Sequence, residues 1–157
     1  MEKAALKEHR RHSTADKPFS YYISNIPEYF PNAPMHWHKE FELNVILEGE
    51  GDFVTGDIHF TAYKGDIVLT PPDMLHAVYQ HDDKRCVYDT LDLDGSMLGS
   101  RDNDRAADAF ITPLISGAYS IETHITPEHC YYSELLTTAE NMINAAKGDT
   151  PLLDMLI

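Results

Sequence analysis

Three histidines and one glutamate carry the spacing that could do chemistry in this chain: His36, His38, Glu42 and His76. In an extended strand, residues two apart share a face, so the rings of His36 and His38 point the same way and can approach one ion through imidazole nitrogens. A turn at Lys39-Glu40 brings the carboxylate of Glu42 round from the next strand. His76 opens a strand of its own and supplies a third ring. A mixed nitrogen and oxygen set of this kind suits a divalent transition metal, with iron, manganese, nickel, zinc and copper all compatible. The same side chains also serve as hydrogen-bonding groups of a metal-free pocket, and both readings stay open. Asn44, on the Glu42 face of its strand, is a further candidate for ligand binding, although its amide could instead satisfy a local backbone group.

These side chains need a scaffold that brings separate segments together. From about Phe19 to Asp94 the chain reads as short runs rich in β-branched and aromatic residues, cut at regular intervals by Gly, Pro and Asp. The expected strands are Ser20 to Ile23, Met35 to His38, Phe41 to Leu47, Gly51 to Thr55, Ile58 to Tyr63, Asp66 to Thr70, His76 to Gln80 and Cys86 to Asp94. Glu48-Gly49-Glu50-Gly51, Thr55-Gly56-Asp57, Lys64-Gly65-Asp66, Pro71-Pro72-Asp73 and His81-Asp82-Asp83-Lys84 read as turns. Phe41, Leu43, Val45 and Leu47 alternate with Glu42, Asn44 and Ile46, so the first set reads as a core face. Alternation places Trp37 opposite His36 and His38, where it is expected to pack between sheet and helix.

After Asp94 the pattern becomes helical, with a short helix expected over Asp102 to Ile111 and a stronger one opening at Thr126-Pro127. Along the latter, Tyr131, Leu135, Ala139, Met142, Ile143 and Ala146 form one apolar stripe, and Gly148 stops it. That stripe fits either a dimer surface or packing against the chain's own barrel. Thr150-Pro151 repeats the capping signal ahead of an apolar run, and the expectation is that this sequence is part of a longer protein.

The 157 residues suit one domain with a helical appendage, and a formal net charge of -14, from 26 acidic against 12 basic residues, repels a polyanion. The domain itself is therefore not expected to bind nucleic acid. Cys86 and Cys130 form no disulfide framework and match no zinc or redox motif, which fits a reducing cytoplasm. No apolar run reads as a leader or a membrane span. His9, His12, His59, His81, His124 and His129 share no spacing and receive no role.

The positions His36, His38, Glu42 and Gly49, followed by Gly65, Pro71 and His76, resemble the two sequence motifs of the cupin superfamily in spacing and order. The second motif is degenerate: Asp73 stands where its usual Gly would be and Gln80 replaces an Asn. Within cupins, the run from Glu42 to Gly51 and the run Tyr63 to Pro72 with His76 resemble the N-terminal domain of AraC-family transcription regulators. The resemblance implies a mainly β fold, a double-stranded β-helix (cupin, or jelly-roll) barrel followed by C-terminal helices that pair two subunits. The basic residues of Lys7 to His12 at the chain's start read as a frayed, mobile arm over 1–18, and the resemblance implies a sensor barrel over 19–125 and helices over 126–157. It further implies a small-molecule effector, sugar-like by default, a homodimer, and DNA binding by the full-length protein. A metal-dependent cupin enzyme, an oxygenase or isomerase, would need the same four ligands and is the alternative.

Overall fold

The structure is a computed structural model that describes residues 2–98, 109 and 111–148. Its strands are β1 (Phe19–Ile26), β2 (Asn32–His36), β3 (Phe41–Thr55), β4 (Ile58–Tyr63), β5 (Ile67–Thr70), β6 (His76–Gln80), β7 (Cys86–Leu93) and β8 (His124–Ile125). Its helices are α1 (Thr112–Ile115) and α2 (Tyr132–Ala146). The expected helix over Asp102 to Ile111 lies almost wholly outside the described residues, and the one opening at Thr150-Pro151 lies entirely outside them.

All the strand pairings are antiparallel, in two layers that share β3. One layer runs β1-β7-β3-β5-β8; in the other, β3 pairs with β4 and β6, and β6 with β2. This is the mainly β barrel expected from the sequence, followed by a C-terminal helix. Period-two alternation divides the apolar residues between two cores. Ile26, Ile46, Phe53, Ala62, Val68, Val78, Cys86 and Tyr88 fill the space between the layers. Phe19, Leu43, Val45, Ile67, Leu91, Leu93 and Ile125 face the other way and pack against Ala139 and Ile143 of α2.

β3 corrects the expectation of two strands and a turn. It runs unbroken through Glu48-Gly49-Glu50-Gly51 and passes from one layer to the other. Its register against β7 slips between Ile46 and Glu48, which turns Leu47 outward to 38% exposure, so Leu47 is not part of the core face. Gly49 sits just beyond the slip at φ 74, and a Cβ there would lie 1.7 Å from the Arg85 carbonyl oxygen. Only glycine fits that close approach.

Three further expectations are corrected. α2 starts at Tyr132, not at Thr126, because residues 126 to 132 form successive turns in which the His129 and Tyr132 N–H groups donate to the carbonyls of Thr126 and His129. Trp37 does not lie between sheet and helix: its Nε1–H donates to the Lys3 carbonyl at 2.7 Å and the Lys3 and Lys7 ammonium groups sit 5.4 and 5.3 Å from its ring centre. The segment expected as a mobile arm is docked. Lys7 bridges Trp37, the Glu8 N–H donates to the Trp37 carbonyl at 3.0 Å, and the Ser13 hydroxyl donates to Glu40 at 2.6 Å. Backbone pairing and the buried His12 hold it where composition alone suggested fraying.

Candidate functional site

β2 and β6 pair so that His36 and His76 are direct partners, and β3 pairs β7 so that Glu42 faces Asp92. The two pairs lie on inward faces, and the β2–β3 connection carries His38 between them. The ring centres of His36 and His76 are 4.1 Å apart, those of His38 and His76 4.9 Å, and those of His36 and His38 5.8 Å. One ligand atom from each of His36, His38, Glu42 and His76 lies within 4.8 Å of the others. The four residues picked out by spacing are therefore brought together.

Backbone carbonyls fix two of the rings. His36 Nδ1 donates to the Pro34 carbonyl at 2.7 Å and His76 Nδ1 to the Met74 carbonyl at 2.8 Å. Each bond fixes its ring through Nδ1 and turns Nε2 inward, the orientation in which metal-bound imidazoles are normally held. Glu42 Oε2 stands 3.4 Å from His38 Nε2 and 3.5 Å from His76 Nε2. These gaps are long for charge-assisted hydrogen bonds but match the roughly 3.4 Å edge of a tetrahedron with ligand distances of about 2.1 Å. His76 Nε2 is buried with no hydrogen-bond partner. The donor set, its fixed rings and this orphaned nitrogen fit a divalent transition metal.

Asn44 is buried behind Glu42: its Nδ2 donates to Glu42 Oε1 at 2.6 Å, and its Oδ1 accepts from the Thr90 hydroxyl at 2.7 Å. It orients the carboxylate. Burial alone would raise the Glu42 carboxyl, but His76 and His38 outweigh burial and hold it well below the usual carboxylate range. Burial, together with the neighbouring His76, lowers His36.

Asp73, at the position where the second motif usually has Gly, adopts φ 61. Asp is one of the few residues that tolerate this left-handed backbone, so the departure keeps the loop geometry. The Asp73 N–H donates to the His38 carbonyl at 2.8 Å, tying the His38 loop to the loop that carries His76.

Sequence reasoning missed Glu8, His12 and Asp92. His12, only 6% exposed, lies between Asp92 Oδ2 at 2.7 Å from its Nδ1 and Glu8 Oε2 at 2.9 Å from its Nε2, with its ring centre 4.8 Å from that of His38. Burial works against the charged ring, but the two carboxylates push it up to about 11. Asp92 was findable, because Tyr88, Thr90 and Asp92 alternate on one face of β7. Glu8 and His12 gave no signal, since their partners are distant in sequence.

A cavity of ≈ 430 Å³ opens beside this group, bounded by β1, β2, β6, β7 and the N-terminal segment. His36, Glu42 and His76 line it, whereas His38 and Asn44 stand behind Glu42 and are not in its wall.

Residues 20–107 match the family described as AraC-like ligand binding domain. A relative in Bacillus subtilis (strain 168), an uncharacterized HTH-type transcriptional regulator YdeC, is 27% identical over 89 residues, 56% of this chain and 31% of that protein. The chain thus matches about a third of that relative's length. Among solved structures, a cupin protein from Bacteroides fragilis aligns at 18% identity with a TM-score of 0.47, covering 54% of this chain and 73% of the other. A predicted oxalate decarboxylase from Thermotoga maritima aligns at 20% identity with a TM-score of 0.44, covering 59% and 74%. With the family match spanning most of the barrel that holds the histidines and Glu42, this chain belongs to the AraC-like ligand-binding domains.

Proposed function

We propose that this domain is the effector-sensing part of a cytoplasmic transcription regulator, and that a divalent transition metal held by His36, His38, Glu42 and His76 forms one end of its ligand cavity. The observation that carries the metal is the buried, partnerless His76 Nε2 directed at Glu42. A buried ring nitrogen without a partner is costly, and a cation shared with Glu42 removes that cost. The metal would supply a point of attachment for a ligand oxygen or nitrogen, while the chain's own residues orient the ligand and exclude water. The sequence similarity to an HTH-type regulator supports DNA binding by the full-length protein. The domain's net charge of -14 leaves that task to another region.

A small-molecule effector fits the cavity volume, which lies at the low end of the ~300–1,000 Å³ range of small-molecule sites. A sugar-like effector, the expectation from the sequence, would find hydroxyl partners in Tyr22, Ser24 and Thr90 but apolar walls at Phe30, Ala33 and Val78. Dimerisation through the C-terminal helices belongs to the same reading. Ala139 and Ile143 are taken up by the barrel, so the dimer would form through the remaining face of α2.

The test is metal content after expression in medium supplemented in turn with iron, manganese, nickel, zinc and copper. About one equivalent is expected in the wild-type domain and none in Glu42→Ala. Metal-free wild-type protein under all five conditions would end the metal reading. The rival, a metal-dependent oxygenase or isomerase, draws on the same four donors beside an open cavity. A sensor returns its bound ligand unchanged, whereas an enzyme returns product, and mass spectrometry of the recovered ligand separates the two.

A further inference from the structure

The cavity is layered, and the strand registers show how. At one level Glu42 faces Asp92 and His36 faces His76. Two residues further along the same strands Asn44 faces Thr90, which in turn faces Tyr22. At that same step from His76, Val78 faces Ala33 on the other layer, and two residues further again Ile46 faces Tyr88. Ionisable groups therefore occupy one end, and beyond them the hydroxyls of Tyr22, Ser24 and Thr90 on one layer stand opposite the apolar Ala33 and Val78 of the other, which share a cluster with Phe30.

A sugar carries hydroxyls around its whole ring, so in this cavity those on the apolar side would lie against Phe30, Ala33 and Val78 with no partner. A ligand with one polar head and an apolar body matches the layers. The head must suit a place where Glu8, Glu42 and Asp92 already crowd together. Glu8 and Asp92 are paired with His12, and a divalent cation bound to Glu42 outweighs that single carboxylate and offers a bond to an anionic oxygen. At the mouth, the Arg10 guanidinium lies 4.3 Å from the Tyr22 ring centre, and among the described residues it has no carboxylate partner within 4 Å. It presents positive charge to an incoming anion.

We propose that the ligand of this cavity is a small carboxylic acid with an apolar body, its carboxylate on the metal held by His36, His38, Glu42 and His76 and its body against Phe30, Ala33 and Val78. This rests on the metal reading above and adds the ligand class to it.

The experiment uses the 157-residue chain loaded with Co(II), whose visible absorption reports its coordination. Acetate, isovalerate, benzoate, phenylacetate, arabinose and glucose are titrated into loaded and metal-free protein. The carboxylates are expected to change the cobalt spectrum, with affinity rising roughly fourfold per added buried methylene, so that benzoate binds at least about tenfold more tightly than acetate. Phe30→Ala and the near-isosteric Val78→Thr are expected to remove most of benzoate's advantage while leaving acetate and cobalt binding unchanged. Failure of the protein to take up cobalt overturns the metal reading and this proposal together. Cobalt uptake with no spectral response to any carboxylate, with no gain from acetate to benzoate, or with arabinose or glucose binding instead, overturns the ligand class and leaves the metal reading standing.

Discussion

Thr90, Asn44 and Glu42 form a hydrogen-bonded relay that ends on the carboxylate between two imidazoles. Asn44→Ala removes the amide that holds Glu42 Oε1, and outer partners of this kind typically set metal affinity within ~10–100-fold. A drop of that size is expected in competition with a chelator of known affinity, with Thr90→Val giving a smaller drop in the same direction. An unchanged affinity in Asn44→Ala would mean that the carboxylate is held by the histidines alone. His12 governs a different property. Its ring is raised from 6.5 to about 11 by Asp92 and Glu8, against burial, so its hold on the N-terminal segment is complete below about pH 6.5 and is lost as pH rises toward 11. Glu8 is lowered from 4.5 through its hydrogen bond to His12, so its contribution is complete above 4.5 and is lost as pH falls through its lowered value. Trypsin cleavage after Arg10 and Arg11 should accelerate from pH 7 to pH 9 in the wild type, and should be fast and flat with pH in His12→Gln. Equal, pH-independent cleavage in both proteins would show that His12 does not clasp this segment.

At the scale of elements, the crossing of β3 from one layer to the other depends on the slipped register at Leu47 and on the bare α-carbon of Gly49. Gly49→Ala combines a left-handed backbone with a methyl group driven into the Arg85 carbonyl, a loss of about 2–4 kcal/mol in urea unfolding. Full stability in that variant would show that the crossing tolerates a side chain. Ile143→Ala should cost about 2–5 kcal/mol, independent of protein concentration, because Ile143 packs on the domain's own Leu91 and Val45 cluster. A cost that varied with concentration would instead place this stripe in a dimer. These elements also mark what the sequence could reveal. β4 and β6 were legible to the residue because Gly, Pro and Asp bound them on each side. β3 read as two strands because the Glu-Gly-Glu-Gly run has turn composition, and nothing local shows that flanking strands carry the chain straight through it. β8, two residues long, has no periodicity to detect. The cluster His36, His38, Glu42 and His76 was legible because strand alternation and two spaced motifs converge on it. Glu8 and His12 were not, because only the folded chain brings residue 12 to residues 38 and 92.

Across the whole molecule, β3 and β7 connect the cavity to the helix. Glu42, Asn44, Thr90 and Asp92 point to the cavity side, and between them Leu43, Asp89 and Leu91 point to α2. Lys147, at the end of that helix, reaches Asp89 Oδ2 at 3.2 Å, and the Tyr21 hydroxyl donates to the other oxygen at 2.5 Å. Any ligand that prefers one placement of these strands biases the docking of α2, and one that binds both placements equally transmits nothing. The first requirement is that occupancy of the His36, His38, Glu42 and His76 site be linked to the folded state at all. A metal at a free concentration about 100 times its dissociation constant stabilises the native form by about 2.7 kcal/mol. For a domain of this size that corresponds to a rise of roughly 5–10 °C in Tm. The rise should be reversed by a chelator and absent in Glu42→Ala. In Asp89→Asn it should keep its full size from a lower starting Tm, because that residue holds the helix and touches no metal ligand. Were Asp89→Asn to lose the metal-induced rise as well, the two faces of β7 would be acting as one site, and the strand could not be a connector between a sensor and a separate output.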